Sequence, residues 1–315
     1  MVHWLELEIH NMKGAKLNYE NYFFLNNSTI SGILSVNGNY SINYIPIKTI
    51  GVGYNKQVIA EVPIANFSIN KYLLYNDPFL PFTGENANKT AKSFKGSINY
   101  NGKKLGFLSG YLNSFSLSCS VGEVPSTTAD IIVYGDLGPS YDASGNFKPP
   151  ELFVPQVKDI ILTCSGSSSN RINSFDYSVN CPKQPIYTLN QSGISFSGPT
   201  GPVAPVSNFI PSEVLLNLPI EINASFALEV DDYQSKSLYN ILTNDIDTNF
   251  SIAIKGRVFE DTSLVTSDIE GFNTNNGVTI FSESFSNVKL ISQEFNSSAD
   301  DVLSVKLNYK GYLNS

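Results

Sequence analysis

The sequence predicts a mainly β protein with two tandem sandwich or barrel domains, each with a short flanking helix. Apolar residues make up 42% of the 315-residue chain and aromatic residues 12%, whereas charged residues are only 15%. Such a composition suits half-buried pleated strands better than helices. A strictly alternating segment and a repeated order of elements support the same fold class.

The alternating segment runs from Ser114 to Val121, where every second residue is a serine. Successive side chains of a strand point to opposite faces, so this segment predicts one apolar and one polar face. The apolar face comprises Phe115, Leu117, Cys119 and Val121, and the other face comprises Ser114, Ser116, Ser118 and Ser120.

Strand-like segments fill both halves of the chain. A loop rich in Gly, Ser and Pro follows Gly138 and predicts a boundary near Pro149 to Pro155, which gives domains 1–150 and 151–315. The first domain has strand patterns at 42–50, 58–69, 93–100, 114–121 and 131–134. The second has them at 157–164, 172–181, 214–230, 250–259, 278–293 and 302–312.

Each half also carries one helical signal. In Asp231 to Asp245, Leu238, Ile241 and Leu242 recur at helical spacing after two acidic residues that favour a helix start. In the first half, Leu73 and Leu74 predict a shorter turn that ends before Pro78.

The order of these elements repeats. Val62 to Ile69 leads into a helical turn, a strand, a loop and a hairpin, and Leu218 to Val230 leads into the same series. Both segments share a Pro-Ile step. We therefore interpret the chain as a duplication.

No arrangement of residues predicts catalysis, a metal site or a cofactor. His3 and His10 are the only histidines and lie at the terminus, a poor place for a rigid catalytic site. The three cysteines have no zinc-like spacing and are interpreted as buried apolar residues. They are Cys119, Cys164 and Cys181.

Carboxylates and tyrosines leave two alternatives open. Paired acids can cleave glycosides, but the candidate acids lie at strand ends or in polar loops, where solvation explains them. They are Asp130, Asp136, Glu260, Asp261, Asp300 and Asp301. Tyrosines could form sugar platforms or pack across strands. They are Tyr40, Tyr44, Tyr54, Tyr72 and Tyr75.

The charge pattern argues against a grip on nucleic acid. The formal charge is −8, the pI is about 4.8, and no Lys/Arg cluster occurs. A protein that binds phosphates needs a basic footprint. The N-terminus lacks a signal-peptide pattern and no apolar run reaches membrane-spanning length, so we expect assembly in the cytoplasm without membrane insertion.

Two stretches, GYLNSFSLSCSVGEVPSTTADIIVYGDLG (110–138) and RINSFDYSVNCPKQPIYTLNQ (171–191), resemble the tail tube proteins of tailed bacteriophages. The resemblance implies a virion structural protein whose subunits form stacked rings, with sheets joined into an inner barrel through which DNA passes without specific binding. The serine face would then face the channel or a neighbouring subunit. A simple tube subunit has one such domain, whereas this chain has two in our interpretation.

The resemblance also implies partners. If a ring needs six tube-like domains, this chain supplies it as a trimer with pseudo-sixfold symmetry; if the second domain decorates the outside, the ring is a hexamer. The loops 75–92 and 194–210 are candidates for stacking rings. Tape measure, baseplate and terminator proteins are the expected partners in the tail.

Other functions remain open from the sequence. A baseplate hub, distal tail or tail terminator protein would use the same fold without forming a long filament. A carbohydrate-binding or sugar-cleaving protein is a different class, and a capsid or decoration protein with two β domains is a third.

Overall fold

The computed structural model describes residues 22–26, 28–47, 57–60, 62–83, 91–100, 103–135, 137–138, 153–155, 158–164, 167–187, 210–229, 248–258, 278–296 and 304–313. The described chain is mainly β, as the sequence predicts. One short 3-10 helix, Leu80–Phe82, lies among the described residues.

Nineteen strands are described, numbered in chain order. In the first half they are β1 Tyr22–Leu25, β2 Ser28–Thr29, β3 Ile33–Ser41, β4 Tyr44–Ile47, β5 Gln57–Ala60, β6 Ile64–Tyr72, β7 Phe94–Tyr100, β8 Lys103–Ser120 and β9 Ser126–Tyr134. In the second half they are β10 Phe153–Val154, β11 Ile160–Cys164, β12 Ser167–Ser169, β13 Ile172–Asn180, β14 Lys183–Ile186, β15 Glu213–Leu216, β16 Ile220–Glu229, β17 Thr248–Val258, β18 Val278–Asn296 and β19 Ser304–Leu313.

One antiparallel sheet joins both halves of the chain. One run through its fifteen described strands follows the order β3-β6-β9-β8-β13-β16-β19-β18-β17-β11-β12, while β7, β1 and β2 branch from β8 and β10 pairs with β17. The two halves meet where residues 114–120 of β8 pair with residues 174–180 of β13, with Ser118 opposite Asp176. We call this pairing the central seam. It makes the sheet continuous across the halves.

The pairing scheme of β1–β9 recurs in β11–β19. Each of the seven pairings in the first set has a counterpart in the second, for example β6 with β9 and β16 with β19. Bulges recur as well: the register shifts at Leu112/Ser114 in β8 and at Leu290/Ser292 in β18. Because register and bulges coincide, each position in one set has a defined equivalent in the other.

The two long strands, β8 and β18, each change pairing partner along their length. The first part of β8 pairs with β7 and the later part with β9. Strand β18 changes partner in the same way, from β17 to β19. Each long strand therefore takes part in two different pairings along its length.

The apolar core follows the predicted alternation. Phe115, Leu117 and Cys119 are each at most 2% exposed, which confirms the predicted inward face of β8. The fourth predicted member, Val121, lies in the turn after the strand and is partly buried. The core crosses the central seam, because the Tyr177 ring of β13 lies 6.4 Å from Phe115 and 5.5 Å from Phe285 between ring centroids. The described buried apolar residues other than Phe24 form one hydrophobic cluster.

The predicted helical turn was misplaced. Leu73 and Leu74 have no helical structure, and the 3-10 turn begins at Leu80, beyond Pro78 rather than before it. Proline is favoured at the start of a helical turn, because the N–H that it lacks would have no hydrogen-bond partner there. Pro81 lies at this position in the 3-10 turn. The second predicted helix, Asp231 to Asp245, and most of the predicted domain boundary lie outside the described residues.

A buried ion pair fixes the segment after β6. The Lys71 ammonium contacts the Asp77 carboxylate and donates to the Tyr72 carbonyl at 3.1 Å. The other Asp77 oxygen accepts the Phe79 N–H at 3.0 Å. Burial lowers the pKa of Lys71 below its ordinary value, and the Asp77 charge opposes that shift.

Candidate functional site

The candidate site is the outward face of the continuous sheet, which we call the polar face. It is built from the strand positions that alternate with the buried ones. Register places these side chains in rows across neighbouring strands. The rows comprise Asn37, Asn39, Ser41, Asn66, Ser68, Ser114, Ser116, Ser118, Ser126, Thr128, Asp130, Ser174, Asp176, Ser178, Glu221, Asn223, Ser225, Ser292, Glu294, Lys306, Asn308 and Lys310.

Hydrogen bonds link this face across strands near its middle. The Ser114 hydroxyl donates to Asp130 at 2.5 Å, and the Ser118 hydroxyl donates to Asp176 at 2.7 Å across the central seam. Ser225 on the next strand donates to the other Asp176 oxygen at 3.4 Å. Serine hydroxyls therefore donate hydrogen bonds to both carboxylates in this part of the face.

The end of the face formed by β16, β19 and β18 carries charges of both signs. Lys310 and Glu221 form an ion pair at 2.8 Å. Their mutual hydrogen bond lowers the pKa of Glu221 and raises the pKa of Lys310. Asn308 donates to Ser292 at 2.8 Å and to Glu294 at 3.0 Å. Cations here lie beside anions, so the surface offers no isolated basic footprint for phosphates.

The polar face is hollowed rather than flat. A shallow hollow of about 420 Å³ spans β9, β8, β13, β16 and β19, and includes Ser116, Asp176 and Asn223. A second of about 440 Å³ lies over β3, β6 and β9, beside Asn39 and Asp130. Both hollows are lined mainly by small neutral side chains.

Of the acids considered for catalysis, Asp130 lies on the polar face, hydrogen-bonded to Ser114. The other five lie outside the described residues. Tyr40 and Tyr44 are 48% and 60% exposed, and Tyr75 is 54% exposed. Burial and the neighbouring Tyr44 raise the pKa of Tyr40, so Tyr40 and Tyr44 lie near each other. Tyr72 of β6 is half-buried. His3, His10 and Tyr54 lie outside the described part.

Two cysteines lie in the core as predicted. Cys119 and Cys181 are buried, and burial raises the pKa of Cys119 to about 12. The described residues contain no group of three His, Cys, Asp or Glu placed to hold a metal. Within the described segments, no helix is long and apolar enough to cross a membrane.

One carboxyl is partly buried under the sheet. Glu283 of β18 lies near Tyr177, and burial raises the pKa of Glu283 above its ordinary value. Burial also raises the pKa of Tyr177. Glu283 lies on the same side of β18 as the buried Phe281 and Phe285, so the pair lies on the inward side of the strand and not on the polar face.

The sequence reasoning missed most of the polar face. It identified the serine row of β8 but not the matching rows of β13 and β16. The signal was present in INSFDYSVN and IEINASFALE, where buried residues alternate with Ser, Asp and Asn. The same alternation recurs in β19.

No family model and no curated protein matches this chain. The resemblance to tail tube proteins therefore depends on the sequence patterns described above.

Proposed function

We propose that the chain is a structural subunit of a bacteriophage tail tube, and that its copies form rings stacked into a conduit for DNA. The observation that carries the proposal is the polar face, which continues without interruption over both halves of one sheet. A sheet that closes into a barrel around a channel presents one face to that channel along its whole circumference.

The chemistry of this face suits passage of DNA without retention. Its side chains are mostly Ser, Thr and Asn, and Lys310 is paired with Glu221. Binding to DNA comes mainly from cations that displace counterions from phosphates. A channel lined by neutral and compensated groups would let the duplex slide.

The repeated pairing scheme supports the two-domain form of the proposal. Each set, β1–β9 and β11–β19, would act as one tube-like domain, with the 1–150 and 151–315 boundaries of the sequence prediction. Three chains would then supply six such units in a ring with pseudo-sixfold symmetry. A hexamer remains the outcome if only one set lines the channel.

Electron microscopy of the purified full-length chain tests the proposal. We expect hollow rods made of repeated rings, with three chains per ring by mass measurement of single rings. Isolated rings that never stack would indicate a hub or terminator role. A monomer at all concentrations, or binding on a glycan array, would overturn the tube proposal.

A matched pair of variants tests the lining. Ser116→Lys with Ser178→Lys adds cations to the polar face, whereas Ser116→Asn with Ser178→Asn adds similar polarity without charge. We expect rods of the lysine variant to retain duplex DNA at low salt, and those of the asparagine variant and the unaltered protein not to. Equal retention by all three would place this face away from the channel.

A further inference from the structure

The continuous sheet has two open edges of different kinds, one in each set of strands. At one end, β3 pairs with β6 alone among the described strands. In the other set, residues 289–296 of β18 pair with β19 alone among the described strands. Their equivalents within the chain, β13 and the later part of β8, pair with one another at the central seam.

Solvent exposure differs between equivalent positions at the central seam and at these two edges. Leu117 in β8 is 2% exposed, whereas its equivalent in β18, Phe295, is 64% exposed. Val179 in β13 is 1% exposed, whereas its equivalent in β3, Tyr40, is 48% exposed. The positions buried by the central seam are therefore open at these two edges.

We propose that residues 292–296 of β18 in one copy pair with residues 37–41 of β3 in a second copy, antiparallel and in the register of the central seam. This inference rests on the proposed function for its biological role, and on the internal pairing for its geometry. It specifies the partner as another copy of this chain and the contact as head-to-tail, because the two edges differ.

Transferring the register fixes the residue pairs. Ser116 opposite Ser178 becomes Glu294 opposite Asn39. Ser114 opposite Asn180 becomes Ser292 opposite Ser41 in the same way. Both new pairs lie on the polar face and combine hydrogen-bonding side chains, so the face would continue from one copy to the next.

The inward side of the proposed seam is also complementary. Leu117 opposite Tyr177 becomes Phe295 opposite Gly38. Gly38 lies under the ring of Phe67, where an added Cβ would approach that ring to 2.6 Å. The Phe295 ring of the second copy would therefore meet the Phe67 ring directly, because Gly38 places no side chain between them.

Disulfide formation between mixed single-cysteine variants tests the register. The full-length background carries Cys164→Ser, and the four variants add Ser41→Cys, Asn39→Cys, Ser292→Cys or Glu294→Cys. Directly opposite residues have Cβ atoms about 4.5–5.5 Å apart, whereas diagonal neighbours are about 7–8 Å apart and bridge poorly. Cys119 and Cys181 remain in every variant, because both are buried and therefore not accessible for cross-linking between copies.

Under mild oxidation, we expect the 39/294 and 41/292 mixtures to give at least tenfold more cross-linked dimer than the 39/292 and 41/294 mixtures. Each variant alone should give little dimer, because the contact joins unlike edges. Equal yields from all four mixtures, or dominant diagonal yields, would overturn the proposed register. Rods without any of these cross-links would refute the seam but not the tube, whereas cross-linked oligomers without hollow rods would refute the tube but not the seam.

Discussion

Removing the Asp77 carboxylate should destabilise the protein more than removing both charges of its ion pair. Lys71 is 0% exposed and Asp77 2% exposed, so Asp77→Ala leaves an ammonium buried without its counterion. Breaking a buried pair from one side costs about 3–5 kcal/mol. The total free energy of unfolding of a domain is only about 5–15 kcal/mol. The single variant should therefore lose a large part of its stability.

The second set of strands supplies the control. The position equivalent to Lys71 in β16 is Leu228, which is fully buried. A Lys71→Leu, Asp77→Asn variant removes both charges and keeps an oxygen for the Phe79 N–H. We expect this double variant to lie within about 1.5 kcal/mol of the unaltered protein, since an apolar replacement of a buried pair is often neutral.

Guanidinium unfolding followed by circular dichroism measures all three proteins. A cost below about 1 kcal/mol for Asp77→Ala, the range of solvated surface pairs, would contradict a buried charge left without its partner. A double variant as unstable as the single one would also contradict it, because the remaining charge would then not be the cause.

Three further changes test the core and the two faces of β8. Phe115→Asp should prevent folding, at a cost above about 4 kcal/mol, because it buries a charge. Ser116→Asp should give a soluble, folded subunit. Equal tolerance of both changes would contradict the assigned faces. Cys119 should stay unmodified by iodoacetamide at pH 8, since its pKa is about 12, and rapid alkylation in mass spectra of the native protein would contradict its burial. Glu283→Gln should stabilise at pH 7: the folded pKa of Glu283 exceeds its ordinary 4.5, so the native protein loses stability as pH rises through that window. In unfolding titrations, the stability difference between Glu283→Gln and the unaltered protein should shrink as pH falls toward 4.5. A difference that does not change with pH would show that ionisation of Glu283 is not its cause.

Local pattern predicted the strands whose two faces differ. Ser114 to Ser120 alternates because one face of this part of β8 packs in the core and the other meets solvent. The earlier part of β8 was missed, since the bulge at Asn113 breaks the period of two. Strand β1 was missed for another reason: Phe23, Phe24 and Leu25 are all buried, so its residues do not alternate.

The polar face and the seam depend on distant parts of the chain, which local pattern does not encode. Residues 114–120 and 174–180 carry similar alternations, but nothing within either segment identifies the other as its neighbour. The repeat was recognised from the order of elements and the Pro-Ile step. The full extent of the repeat appears only in the strand register, because equivalent strands of the two sets share their pairing pattern but few residue identities.

The covalent link between β8 and β13 changes the kinetics of any closed assembly. In a ring of such chains, every second junction would form during folding of a single molecule, at a rate independent of protein concentration. Tethered contacts of this kind behave as if the partner were present at about millimolar levels. Fewer encounters between separate molecules are then needed to complete a circle, so incomplete arcs with exposed ends would be shorter-lived than in a ring of single-unit chains.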